Sequence, residues 1–336
     1  MKHLMTVTGE AAPEACRMAL SHEHFFIDLR GQAAPGAQKR PLTAADRPRL
    51  LCDPYCLTDN LVLDDGETAL EEAEALLQCG CDTVVECSTP DIGRDPAGLR
   101  RLAEKSGLKI VMGCGHYTAD THPAGFDALP EEAVAEALIA EIEQGVQGVR
   151  PGIIGEIGTS REILPSEAKA LRAAAAAHRA SGLAVQVHIY PWSENGTEAA
   201  EMLISSGVDP RKIVICHSDA EPCWTYITGL LRMGVFVELD NFGQEFTPEA
   251  GGFAGGRFIP DRERAALAAK IIDAGYGPQL LLTNDICLKC MLKRYGGDGY
   301  VRIFREIVPM IAAHGIPEAY LRETILRENP LRMLAG

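Results

Sequence analysis

Eight short apolar runs recur along the chain, together rich in valine, isoleucine and leucine. They are CRMALS (16–21), DTVVECS (82–88), LKIVMGCG (108–115), GIIGEIG (152–158), LAVQVHIY (183–190), KIVICHS (212–218), GVFVELD (234–240) and QLLLTND (279–285). Runs of this length with little alternation predict strands buried on both faces. Between them the pattern changes to a helical period. GETALEEAEALLQCG stops at Gly80, and DPAGLRRLAEKSG carries Asp95 as N-cap, Pro96 in the first turn and Gly107 as a stop. LPEEAVAEALIAEIEQG places Pro130 early and Gly145 late, and LPSEAKALRAAAAAHRASG runs from Ser166 to Gly182. Helical patterns also cover about 194–207, 221–233, 260–275 and 299–315.

Strand followed by helix, eight times over, predicts an α/β fold, a (β/α)8 barrel in which residues 1–336 form one domain. A doubly wound open sheet is the competitor, but it carries a glycine-rich phosphate loop after its first strand, and SHEHFF stands there instead. Two connections are too long for plain turns, at about 28–65 and 241–260. Loops of that length in a compact domain serve as lids, binding loops or subunit contacts. Both follow C-terminal strand ends, the side on which a barrel carries its active site.

Composition narrows the class. Of the 336 residues 46% are hydrophobic and 24% charged, ordinary for a soluble globular protein. A net charge of −15 argues against a nucleic-acid partner. No apolar run approaches the roughly 18 residues of a membrane span, and MKHLMTVTGEAAPEACRM lacks the apolar core of a signal peptide. The eleven cysteines are scattered, many in apolar runs, which fits reduced thiols and a cytoplasmic location. CLKC (Cys287, Cys290) has redox or zinc spacing, but no second CxxC accompanies it.

Candidate chemistry begins at ALSHEHFFIDLRG, where His22 and His24 stand two residues apart at the end of a strand. Side chains i and i+2 share one face, so the two imidazoles can converge on a metal ion, or each can simply bond backbone or water. Other strand ends add Glu156, His188, His217 and Asp285. Singly each has a mundane explanation; together they open onto one barrel mouth. His3, His122, His178 and His314 lie on the tail, loops or helices and receive no role.

The ordered set SHEH, GIIGEIG, VQVH, CHSD and TND resembles the phosphotriesterase-like metallohydrolases of the amidohydrolase superfamily. The likeness covers nearly the whole chain, including IGRDP (92–96), VMGCGHY (111–117), KRYGGDGY (293–300) and ENPLRML (328–334). It implies a barrel holding two divalent metal ions, zinc first, with manganese, cobalt or iron as alternatives. It implies His22, His24 and Asp285 on the more buried ion, His188 and His217 on the more exposed one, and Glu156 bridging them. Phosphotriesterases proper use a carboxylated lysine at the bridge. GIIGEIG has no lysine, and Glu156 takes the place as in the phosphotriesterase-related branch. Both groups are monoanionic with two oxygens, but the shorter glutamate argues against a dedicated phosphotriesterase.

Two dications about 3.5–4 Å apart would acidify a water between them, with Asp285 as proton acceptor and catalytic residue. Asp219 is expected to orient nearby groups, and Glu86 and Asp240 to be structural. Candidate substrate contacts are His116, Tyr117, Trp192, Arg257, Lys289, Lys293 and Arg294, the cations reading an anionic group unless they are a solvated basic helix start. The leading function is a binuclear hydrolase of a lactone, carboxylic ester or phosphoester. Alternatives are an N-acyl amide hydrolase with the same site, a mononuclear deaminase-like enzyme, or a non-catalytic ligand-binding barrel. The family suggests a homodimer acting on a small molecule, with no nucleic acid or membrane partner.

Overall fold

The computed structural model describes residues 3–247, 256 and 258–335. Eight parallel strands form a nearly closed barrel: β1 Met18–Glu23, β2 Cys81–Glu86, β3 Lys109–Cys114, β4 Ile153–Gly158, β5 Val185–His188, β6 Ile213–Ile215, β7 Phe236–Leu239 and β8 Leu280–Leu282. Every strand pairs with the next in chain order. Backbone pairing runs from β1 round to β8, and side chains complete the seam between those two. The Thr283 hydroxyl lies 2.9 Å from the His22 carbonyl, and the Glu23 carboxylate accepts the Asn284 N–H at 2.9 Å.

Helices follow the strands: α1 Gly66–Gln78, α2 Pro96–Ser106, α3 Glu131–Gln144, α4 Pro165–Ser181, α5 Gly196–Ser205, α6 Trp224–Met233, α7 Asp261–Ile271 and α8 Val308–Ala312. The expected punctuation holds at α2, where Asp95 accepts the Gly98 N–H and Gly107 closes the helix in the left-handed region at φ 79°.

Alternation along the strands separates two apolar layers. Val84 and Ile110 face outward toward the helices, whereas Val85, Val111, Ile153, Val214, Phe236 and Leu281 fill the barrel interior. Met333 and Leu334 of the C-terminal helix Asn329–Ala335, α9, join that inner layer. The Lys212 ammonium donates to the Met333 carbonyl at 2.6 Å and ties α9 in place. One end of the barrel is thus plugged with apolar side chains, and polar groups gather at the other.

The long connection after β1 is not structureless. Ile27–Asp28 pairs antiparallel with Val62–Leu63, and the intervening chain folds back in short helical turns. β6 and β8 are shorter than the apolar runs suggest. His217 and Asp285 lie beyond their strands, with φ of 54° and 50°. A residue bearing a Cβ adopts that left-handed conformation at a cost of roughly 1–2 kcal/mol, and here it turns each side chain out of the strand alternation. All eleven cysteines are free thiols, so CLKC is not a disulfide. No described helix is long and apolar enough to cross a membrane.

Close strand approach requires glycine at position 113. A Cβ there would collide with the Gly155 carbonyl of β4, while the Gly113 carbonyl accepts a 2.7 Å hydrogen bond from the buried Arg94. Gly113→Ala is expected to destabilise the protein by about 1–3 kcal/mol, read as a lower urea midpoint. An unchanged midpoint would contradict the tight β3–β4 approach.

Candidate metal centre

β1 delivers the first two imidazoles. His22 and His24 project to the same side with ring centroids 5.3 Å apart, and both are buried. β4 contributes Glu156, β5 His188, and the turns after β6 and β8 contribute His217 and Asp285. The six residues inferred from the sequence therefore meet at one place.

Five of them, His188 excepted, have spacing compatible with cation ligands. His24 Nε2 lies 3.1 Å from Asp285 Oδ1, and His22 Nε2 lies 3.6 Å from the same oxygen. Glu156 lies 3.4 Å from His22 Nε2 through Oε2, and 3.4 Å from His24 Nε2 through Oε1. His188 Nδ1 is 3.3 Å and His217 Nε2 3.8 Å from Glu156 Oε2. Donor atoms around a tetrahedral cation at about 2.1 Å stand about 3.4 Å apart. His22 Nε2 and Glu156 Oε2 are buried without a hydrogen-bond partner, although buried polar atoms ordinarily find one. The donor set therefore fits divalent cations. His22, His24 and Asp285 form one group with ligand-compatible spacing, and His22, Glu156 and His217 another.

Carboxylates behind the rings fix their orientation. His22 Nδ1 bonds Glu238 at 3.2 Å, and His217 Nδ1 bonds Asp240 at 3.0 Å. His24 Nδ1 bonds the Ser88 hydroxyl at 2.9 Å, which donates to Glu86 at 2.7 Å. These contacts leave each Nε2 facing the centre. His188 is held differently: its Nδ1 lies 2.8 Å from His217 Nε2, and the Tyr117 hydroxyl approaches to 3.2 Å.

Electrostatics favours ionised carboxylates and a neutral His188 at the centre. Burial opposes charge on Glu156, yet the His22 imidazole and the neighbouring His188 and His217 hold its carboxyl well below the usual range. Asp285 is likewise lowered despite burial, chiefly by the hydrogen bond from His24. Burial and the neighbouring His217 lower His188, favouring the neutral imidazole that coordinates metal. Burial also opposes charge on His217, but Asp240 raises it well above the ordinary histidine value.

Above the centre lies a pocket of about 70 Å³. The long loop after β1 supplies Gln32 and Tyr55, Tyr117 follows β3, and Asn241, Gln244 and Phe258 follow β7. Gln244 Nε2 donates to Asp285 Oδ2 at 3.1 Å.

Not all the expected substrate contacts arrive there. Tyr117 does, but His116 turns away to bond Asp91 at 3.0 Å and packs on Phe126. Trp192 packs against Phe258, ring centroids 5.0 Å apart, beneath Gly256, where any Cβ would meet the indole. Lys289 is spent on Asp59 at 2.7 Å, and Arg294 on Asp65 and Glu71, both at 2.9 Å, so neither cation lines the pocket. Arg257 lies outside the described residues. Asp219 serves Asn241 and the buried Arg264 rather than a histidine. Sequence reasoning missed Glu238, Gln186 and Gln244. An acid inside GVFVELD and an amide inside LAVQVHIY were the available signals for the first two. Gln186 Nε2 donates to Glu238 Oε2 at 2.7 Å and fixes the partner of His22.

Comparison with known proteins shows the family. The model for the Phosphotriesterase family matches residues 2–334. An N-acetyltaurine hydrolase of Xenopus tropicalis is 31% identical over 98% of this chain and 97% of its own length. A resiniferatoxin-binding protein from Rhodobacter sphaeroides superposes with a TM-score of 0.93 at 31% identity, over 99% of this chain and 94% of that one. A phosphotriesterase homology protein from Escherichia coli, complexed with phosphate in its active site, gives 0.81 at 26% identity, over 96% of this chain and 100% of that one.

If Asp240 orients His217, Asp240→Asn should weaken cation retention by about 10–100-fold in competition with a chromophoric chelator. Retention equal to the unmodified protein would remove that role.

Proposed function

The chain belongs to the phosphotriesterase family of hydrolases, and from that premise we propose that it uses two divalent cations to hydrolyse a carboxylic acyl bond in a small molecule. The observation that carries this reading is charge. Glu156, Asp285, Glu86, Glu238 and Asp240 are all buried around four imidazoles. No described lysine or arginine forms an ion pair with any of them. Buried carboxylates without lysine or arginine partners are costly, and a pair of dications among the orphaned ligand atoms would offset that cost. Zinc suits the imidazole and carboxylate donors, as manganese, cobalt or iron would.

Two dications held there supply Lewis acidity, bringing water deprotonation close to neutral pH and polarising an acyl oxygen. The chain supplies the rest. Asp285, held ionised by His24 and steadied by Gln244, takes the proton released as water adds and returns it to the leaving group. The Tyr117 hydroxyl, beside His188 and open to the pocket, donates a hydrogen bond to the substrate oxygen. Tyr55 and Phe258 wall the pocket and limit access of bulk water.

The pocket supports an ester or lactone first. Among its described lining residues none is lysine or arginine, so no described side chain there offers a cation to a phosphate or sulfonate. The second reading, an N-acyl amide, is supported by the N-acetyltaurine hydrolase at 31% identity.

Asp285→Asn is expected to lower kcat by about 10²–10⁴-fold while the fold persists by circular dichroism. Undiminished turnover would exclude the proton-acceptor role. Metal-loaded protein assayed in parallel on neutral lactones, aryl esters and N-acetyltaurine should favour the first two. The opposite order selects the amide, and inertness toward all three contradicts acyl hydrolysis.

A further inference from the structure

The glutamate between the two histidines, Glu23, has no place in the mechanism above, yet its carboxylate is buried and fully engaged. Successive strand side chains point to opposite faces, so Glu23 faces away from the centre that His22 and His24 face. It reaches across the β8–β1 seam instead. Oε1 accepts from the Thr283 hydroxyl at 2.7 Å, the Asn284 N–H at 2.9 Å and the Asn284 side-chain amide at 2.8 Å. Oε2 accepts the Ile286 N–H at 2.9 Å.

Those contacts bracket one residue. Asn284 and Ile286 flank Asp285, whose φ of 50° lies in the left-handed region. Gln244 holds Asp285 itself, donating to its carbonyl and to Oδ2, both at 3.1 Å. An aspartate persists in that conformation when its surroundings over-determine it. Here the flanking amides are fixed by a carboxyl group carried on the strand that bears two of the other ligands. The Tyr300 hydroxyl strengthens the same junction, donating to the His24 carbonyl at 2.6 Å.

We propose that Glu23 is a positioning residue that locks the backbone on both sides of Asp285, so that its carboxylate meets His22 and His24 in ligand geometry. The proposal rests on the metal-centre reading given above. Glutamine is the informative replacement because it keeps the size of Glu23 but sets an NH2 group against one of the donors.

In the full-length protein, Glu23→Gln is expected to reduce cation retention against a chelator by about 10–100-fold. It should also lower kcat by a similar factor, with KM within about twofold of the unmodified protein. Because both residues act through one carboxylate, adding Glu23→Gln to Asp285→Asn should cost little more than Asp285→Asn alone. The proposal is overturned if Glu23→Gln lowers only the melting temperature, leaving retention and kcat intact, or if the two replacements prove independent. Thr283→Val removes one donor and leaves the Glu23 charge, so it serves if Glu23→Gln does not fold. A smaller loss in the same two readouts is expected, and unchanged values overturn the proposal. An unmodified chain that retains no cation overturns the site reading and the lock with it. Retention by the unmodified chain, undiminished in the variants, overturns the lock alone.

Discussion

A carboxylate moved from water into a protein interior must meet positive charge or several donors, or it gives up its own charge. At the open end of this barrel five carboxylates are buried among four imidazoles, without an arginine or lysine paired to them among the described residues. That concentration of negative charge shapes its surroundings. Around it stand the orphaned His22 Nε2 and Glu156 Oε2, imidazoles oriented from behind, and His217 and Asp285 in left-handed turns. The rest of the fold supplies rigidity: apolar side chains fill the lower interior and α9 plugs it, so the strand ends carrying the ligands have little freedom to part.

Much of this was legible in the amino-acid sequence. The eight apolar runs announced the strands because strands buried on both faces cannot tolerate alternation. The residues of the buried cluster were legible because histidine, glutamate and aspartate stand out at the ends of such runs. The exits of β6 and β8 were not, since contacts distant in sequence hold those turns: Asp240 at His217, and Glu23 and Gln244 at Asp285. Local propensity carries no trace of a bond between residues more than 250 positions apart in the chain.

The substrate wall was harder still to read. Lys289 and Arg294 stand near the mouth in sequence, but carboxylates at the start of α1 and in the loop before it neutralise them. Tyr55 and Gln32 come from a loop whose course depends on the pairing of Ile27–Asp28 with Val62–Leu63. A charge at a strand end is thus a good guide to the centre, whereas a charge in a loop says little until its partner is known. The family relationship fixes hydrolysis; the described pocket, lined by aromatic and amide side chains, bears on which acyl bond is cut.

The most direct test is the metal content of the unmodified protein, measured by inductively coupled plasma mass spectrometry after loading with zinc, manganese or cobalt and exhaustive dialysis. The account predicts about two divalent ions per chain. One ion or none, from every metal offered, would contradict a binuclear centre.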